Sequence, residues 1–316
     1  FSWGRNYYGN LGIGTYDELF HSDPIEITFA FGFDQTTLEY PKHIEASMDG
    51  TILVTSNNRI FVFGANQWNS LALGETPYVT TPYEITDLFA FNVDEEVEIV
   101  KSRALSAVLV TSENRVFTWG CNFSGELGIG YPGISETVTE ITDNVNLQVD
   151  ETIIDVSAGN TLIIITSLGR FLFAGERQIV PGFRPSDNIY PITDLTYVFT
   201  LNEGEHIAKL VDTNSYSKTV LTSSGRVLAW GQLYNLGMGT TNDWEMVPPS
   251  EINLVYLTSL HVEMYEFGEV ITPYVYSIDG YDFVGWFSDD SLSVEFDFLV
   301  EVTSDIIIYA YYVLSE

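Results

Sequence analysis

Cysteine is nearly absent from this chain: one residue, Cys121, in 316. A lone thiol cannot close an internal disulfide or anchor a structural zinc cluster. Positive charge is also scarce. Twelve Lys and Arg stand against 44 Asp and Glu, a formal net charge of -32. A field of that sign repels phosphate backbones and anionic lipid, so neither nucleic acid nor an acidic membrane is an expected partner. No run of about 18 apolar residues occurs, so no direct membrane insertion is expected of this segment. The opening FSWGRNYYGNLGIG lacks an initiator Met, a basic start and the apolar core of a signal peptide. It reads as the middle of a repeat unit, so the chain is expected to be a piece of something longer. A sustained helical period with caps is missing as well, which makes the chain nearly all β. Against these absences stands a hydrophobic content of 45%, ample for sizeable cores, in a length that suggests about two domains.

Internal repeats organise the chain. A strand ending in an aromatic-Gly anchor recurs at Trp3-Gly4, Phe63-Gly64, Trp119-Gly120 and Trp230-Gly231, with Ala174-Gly175 as a weakened copy. The Gly-to-Gly intervals are 60, 56, 55 and 56 residues. Upstream of the anchors come ILVTSNNRIFVFG (52–64), VLVTSENRVFTWG (108–120), IIITSLGRFLFAG (163–175) and VLTSSGRVLAWG (220–231). Downstream come NYYGNLGIG (6–14), NQWNSLALG (66–74), NFSGELGIG (122–130) and the shorter YNLGMG (234–239). Asn57-Asn58, Glu113-Asn114, Leu168-Gly169 and Ser224-Gly225 stand at the centre of a tight connection between two apolar strands. Asn and Gly tolerate the positive φ that such a connection needs. Strands apolar on both faces suit sheets sandwiched between other sheets. A unit of about 50 residues with about four short strands is one blade of a β-propeller.

These strings resemble the repeats of the regulator of chromosome condensation family. Its unit runs Thr-x-x-Gly-Arg-apolar-Trp-Gly, then Asn-x-x-Gly-Gln-Leu-Gly-x-Gly. The resemblance covers residues 1 to about 252 and implies a propeller, typically seven-bladed. With about five blades in this chain, blades removed from it would be needed to close such a ring. The family's His is missing from SMDGT, SRALSA, SAGNT and TNSYSK, and the fourth unit departs as AGERQIVPGFRPS (174–186).

From about Leu254 the repeat stops, and no Lys or Arg follows Arg226. The tail alternates like strands, with Asp279-Gly280 and Ser288-Asp289-Asp290 as turn material. GYDFVGWFSD (280–289) followed by IIIYAYY closely resembles the Listeria–Bacteroides repeat, a small β-grasp-like module, over about 262–313. The expected division is a propeller over 1–252 and this module over 253–316. The resemblance implies an extracellular or wall-associated bacterial protein, with the module as spacer.

Candidate chemistry is thin. His21, His43, His206 and His261 fall in unrelated repeat phases and suggest no shared metal site. Cys121 has no indicated basic partner and is not expected to be a nucleophile. No nucleophile elbow or phosphate loop occurs. Asp94-Glu95-Glu96 with Glu98, and Asp289-Asp290, lack the ligand alternation of a calcium loop and read as solvated acidic loops. Asn122-Phe123-Ser124 forms a glycosylation sequon that coincides with the repeat's Asn turn. No catalytic, cofactor or metal residue is therefore assigned, and no enzyme activity is expected.

Aromatic residues are the remaining signal. Trp3, Trp119 and Trp230 hold anchor positions and are expected to be buried between blades. Trp286 is expected in the core of the tail module. Just after the anchors stand Tyr7, Tyr8, Trp68, Phe123 and Tyr234, which on one rim would form a partner-binding crescent. The expected function is a non-catalytic interaction protein whose rim binds a protein partner. A carbohydrate-binding module facing a cell-surface glycan and an inhibitor of a secreted enzyme are the alternatives.

Overall fold

The computed structural model describes residues 1–34, 36–47, 49–176, 189–212, 217–232, 246–251, 281–287 and 309–314. They fall in two compact units, Phe1–Glu251 and Ile252–Glu316. In the first unit, β1 (Ser2–Arg5) and β2 (Phe20–Ile25) form a two-stranded sheet. Four four-stranded antiparallel sheets follow, each taking consecutive strands. The first holds β3 (Pro41–Ala46), β4 (Gly50–Thr55), β5 (Ile60–Ala65) and β6 (Tyr78–Glu84). The second holds β7 (Val97–Arg103), β8 (Ser106–Thr111), β9 (Val116–Asn122) and β10 (Gly133–Glu140). The third holds β11 (Ile153–Ser157), β12 (Thr161–Thr166), β13 (Phe171–Gly175) and β14 (Ile189–Asp194). The fourth holds β15 (Ile207–Asp212), β16 (Ser217–Thr222), β17 (Val227–Gln232) and β18 (Met246–Glu251).

The first strand of each sheet lies against the first strand of the next: β3 on β7, β7 on β11, β11 on β15. Those strands also line a common cavity of about 320 Å³, with Glu45, Lys101, Arg103, Asp155 and Leu210 in its wall. Sheets whose first strands converge on one cavity stand radially around an axis, which is the geometry of a β-propeller.

Alternation along the strands builds the core. On β8, Ala107 and Leu109 pack with Ile52, Val62 and Trp119 on one side, while Val108 and Val110 pack with Ile164 and Leu172 on the other. Neighbouring side chains thus serve opposite inter-sheet layers, so the strand is apolar at all four positions from 107 to 110. The same sharing joins the third and fourth sheets through Ile163, Phe173, Val220 and Trp230.

The hairpin between second and third strands repeats in detail. Asn58, Asn114, Gly169 and Gly225 all take positive φ, from 59° to 86°. The amides of Arg59, Arg115, Arg170 and Arg226 donate to the hydroxyls of Thr55, Thr111, Thr166 and Thr222 at 3.1–3.2 Å. Asn58 and Asn114 also reach the next sheet, accepting the Val97 and Ile153 amides at 2.7 and 2.8 Å.

The anchor glycines are required sterically. Gly64 and Gly120 have φ of 105° and 102°, and a Cβ on either would lie 2.2 Å from a backbone oxygen, of Asp49 and Leu105 respectively. In front of them, Trp119 and Trp230 are buried as expected, but Trp3 is 61% exposed. Trp119 and Trp230 lie against the sheet before their own and its link, one on Phe89 and Ser70 O, the other on Phe171 and Phe199. The expectation of burial fails at Trp3 because among the described residues no sheet precedes β1 to cover the indole.

In the second unit, β19 (Tyr281–Phe287) pairs antiparallel with β20 (Tyr309–Leu314), with a bulge between Phe283 and Gly285. Trp286 is half-buried on β19, its ring 5.7 Å from Phe283.

Candidate binding rim

A meander of four strands divides its connections between two rims. The loops from third to fourth strand share one rim with the turns from first to second. The second-to-third hairpins share the other with the links between sheets. The described post-anchor loops, which contain Tyr7, Tyr8, Trp68 and Phe123, therefore emerge on the same rim.

Each such loop is built around a buried asparagine. Asn66 donates to the carbonyls of Gly74 and Thr76 at 3.0 and 2.8 Å and accepts the Leu71 amide at 2.9 Å. Asn6 and Asn122 repeat this with Thr15 and Leu11, and with Tyr131 and Leu127. Leu11, Leu71 and Leu127 are driven into the core beneath the loop. One amide thus satisfies the backbone polar groups that a ten-residue loop would otherwise leave open. The same bonds consume Asn122, so the asparagine of the sequon is buried in the folded chain and serves the loop.

The rigid base presents the side chains above it. Tyr7 and Tyr8 are 43% and 39% exposed, Trp68 47% and Phe123 53%. Trp68 and Phe123 come together across two successive blades, ring centroids 5.0 Å apart and planes at 75°. Tyr7 lies beneath the Arg5 guanidinium, 5.6 Å from its ring centre. Tyr234 lies outside the described residues, as do most of the altered fourth loop and His261. Trp68 stands at φ 55°, ψ 32°, a left-handed conformation that costs a non-glycine residue about 1–2 kcal/mol. Its neighbour Asn69, also left-handed at φ 60°, explains the geometry. The Asn69 amide donates to Ser135 O of the next blade at 2.8 Å and its oxygen accepts the Gly74 amide at 2.8 Å. The Trp119 indole N–H adds a bond to Ser70 O at 3.0 Å. The loop over residues 67–70 is therefore stapled onto the adjacent blade, where Phe123 emerges.

The opposite rim holds a device that the sequence reading missed. Arg115 bridges buried Glu95 and the more exposed Glu140, both at 2.8 Å. Arg59 does so with Glu39 at 3.1 Å and Glu84 at 2.9 Å, and Arg170 with Glu151 and Asp194, both at 2.9 Å. Arg226 takes Glu205 at 2.7 Å. Each inner glutamate also accepts a backbone N–H at 2.7 Å, from Asp34, Asn92, Gln148 or Asn202. Burial works to raise the pKa of these four carboxyls. Hydroxyl, backbone N–H and Arg partners overcome it, so all four lie below the usual value, Glu205 at about 2. Asp94-Glu95-Glu96 is accordingly not a wholly solvated loop: Glu95 is a buried half of an ion pair, and Glu96 holds Lys42 at 2.8 Å. The available signal was a spacing. Each inner glutamate precedes its arginine by 19–21 residues.

The other candidates remain scattered. His21 bonds to Asp17 at 3.1 Å on a post-anchor loop. His43 lies on β3, where burial lowers its pKa. Burial pushes the Cys121 thiol up to about 11. Among the described residues no group of three or more His, Cys, Asp or Glu side chains is placed to hold a metal ion, and no helix is long and apolar enough to cross a membrane.

Residues 113–165 match the model of the regulator of chromosome condensation (RCC1) repeat, and residues 258–311 that of the Listeria-Bacteroides repeat domain. Among curated proteins, the chain is similar to the human X-linked retinitis pigmentosa GTPase regulator, 26% identical over 44% of this chain and 13% of the relative. It is also similar to the mouse serine/threonine-protein kinase Nek9, 23% identical over 41% of this chain and 13% of the relative. The chain thus spans a small part of these relatives. Among solved structures, human WBSCR16 superposes with a TM-score of 0.61 at 15% identity, over 85% of this chain and 63% of that one. Prp20p of Saccharomyces cerevisiae, described with its binding to Gsp1p and histones, gives 0.61 at 18%, over 79% and 60%. Both support the propeller fold alone. The described residues of the first unit form a β-propeller in which residues 113–165 match a regulator of chromosome condensation repeat, and residues 258–311 match a Listeria-Bacteroides repeat domain.

Proposed function

We propose that this chain is a non-catalytic binding scaffold outside a bacterial cell. Residues 1–252 form the propeller that engages a protein partner, and residues 253–316 form a spacer. The observation that carries the reading is the pairing of a stapled base with exposed aromatics on one rim. Tyr7, Tyr8, Trp68 and Phe123 stand on loops whose polar groups are already satisfied within the fold, so their side chains are available for recognition. Tyr and Trp are the residues most often found at the energetic centres of protein interfaces. The acidic surface keeps such a scaffold soluble and turns away nucleic acid. The Listeria-Bacteroides repeat match supports the extracellular setting.

The test is chemical crosslinking of the chain to extracellular proteins of its source, compared with a variant carrying Ser at Tyr7, Tyr8, Trp68 and Phe123. A crosslinked partner lost in the variant is the expected result. Unchanged crosslinking, or a partner mapped to the hairpin rim, overturns the reading.

A further inference from the structure

The Trp68–Phe123 pair differs from the other rim aromatics in ways that name its partner's chemistry. The two rings are perpendicular, 5.0 Å apart, and form an open corner at the seam between two blades. Trp68 is held there in a left-handed backbone conformation that L side chains rarely adopt. The bonds of Asn69 and the backbone carbonyl of Ser70 account for the loop, but the indole of Trp68 itself stays half in water. Ile134, the residue before the Ser135 carbonyl held by Asn69, is exposed. Tyr131, also exposed, carries the carbonyl that Asn122 holds. An apolar surface on two rigid loops of adjacent blades can receive a side chain without ordering cost on this partner's part.

Charge completes the description. Residues 65–78 and 121–139, which build the corner, contain Glu75, Glu126 and Glu136 and no Lys or Arg. Glu126 is itself buried, its carboxylate accepting the Ser124 amide at 2.6 Å. The two loops thus bring no cation to the corner, in a chain of net charge -32. An anionic segment would be repelled, and a cationic one would be drawn in and held.

We propose that this corner binds a polypeptide segment in which a bulky aliphatic or aromatic side chain is flanked by lysine or arginine. The apolar side chain packs into the angle between Trp68 and Phe123, and the basic groups are drawn by exposed Glu75 and by the net negative charge of the chain. This rests on the rim reading above and narrows it to one seam and one ligand chemistry.

The test selects ligands from a displayed library of random dodecapeptides on the full chain. Selected sequences are resynthesised for affinity measurement. The expected result is enrichment of a bulky apolar residue beside Lys or Arg, binding that weakens as salt rises, and a loss of about thirtyfold on Trp68→Ala, the size of an interface hot spot. Trp68→Gly separates recognition from folding. It relaxes the left-handed backbone, so its unfolding midpoint should not fall, yet it should lose the same affinity. Acidic or uncharged selected peptides, or affinity indifferent to both Trp68 variants, overturn the proposal. If binding instead depends on Tyr7 and Tyr8, the rim reading stands and this proposal fails. If no peptide is selected, or only neutral oligosaccharides bind, both fail.

Discussion

Replacing Arg115 by Met tests whether the hairpin-rim ion pairs hold the blades. Arg115 is 18% exposed, Glu95 0% and Glu140 42% at the side chain. The two halves of the bridge are therefore unequal. Glu140 is a surface partner, and its loss costs at most about 1 kcal/mol. Glu95 is different: without Arg115, a buried carboxylate retains the Asn92 N–H but loses its countercharge. Breaking a buried pair in this way costs about 3–5 kcal/mol. Because Arg115 is itself partly open to water, the lower end, about 3 kcal/mol, is expected. Arg115 also lies over the Phe117 ring, 4.8 Å from its centre, and Met retains part of that packing. Urea unfolding followed by the near-ultraviolet signal of buried Trp119 and Trp230 measures the change. The order of destabilisation should be Arg115→Met well above Glu140→Ala. Adding Glu95→Met to Arg115→Met should recover part of the loss, since no charge then remains buried. If Arg115→Met and Glu140→Ala are indistinguishable, or the double variant is less stable than Arg115→Met alone, the reasoning is refuted.

The remaining predictions concern acid, burial and the thiol. Glu39, Glu95, Glu151 and Glu205 have folded-state values below the usual 4.5. Their contribution to stability is therefore complete above about pH 4.5 and is lost as pH falls through the folded values. For Glu205 that window reaches down to about 2. The urea midpoint should fall steeply on the acid side, and less steeply in the Arg115→Met variant. Trp119→Ala should cost about 3–5 kcal/mol, because it empties a buried site and removes the bond to Ser70 O. Trp3→Ala should cost about 0.5 kcal/mol or less as a surface change. Equal costs in denaturation would contradict the placement of β1. Cys121, with its thiol raised to about 11, should react with iodoacetamide at pH 8 only at the rate of unfolding, and fast labelling of the native chain would count against its burial.

The propeller was legible because its requirements are local and recur. A positive φ at Asn58, Asn114, Gly169 and Gly225 demands Asn or Gly, and the Asp49 and Leu105 carbonyls exclude any Cβ at Gly64 and Gly120. Such demands leave the same letters at the same spacing in every unit. The post-anchor aromatics were legible for the same reason, since buried Asn66 and Asn122 fix the loop in which Trp68 and Phe123 stand. What escaped was determined by neighbours. Trp3 has the anchor's identity but, among the described residues, no preceding sheet against which to bury it, and composition cannot show a neighbour. Glu95 sits among Asp94 and Glu96 in a run that looks uniformly solvated. Only the fold reveals that the middle carboxyl turns inward to Arg115, because the partner lies twenty residues away on the far side of a hairpin.

The two rims divide their labour by the chemistry of these loops. On the hairpin rim, Arg59, Arg115 and Arg170 each tie a link between sheets to the hairpin and the outer strand of their own blade, and Arg226 ties its link to the hairpin. A change there is felt as stability, and little variation is tolerated. On the post-anchor rim, the loop is held from below by its asparagine and leucine and by polar neighbours such as Asn10, Asn69 and Glu126, while Trp68 and Phe123 spend no side-chain hydrogen bond on it. Tyr7, Trp68 and Phe123 occupy the same place after Asn6, Asn66 and Asn122 within a residue, yet present three different surfaces. A propeller built this way can change what it recognises by substituting loop positions one blade at a time. It follows that variants at Trp68 or Phe123 should alter binding with little change in unfolding midpoint, and variants at Arg59 or Arg115 should do the reverse. A scaffold whose rims respond identically to substitution would not be organised in this manner.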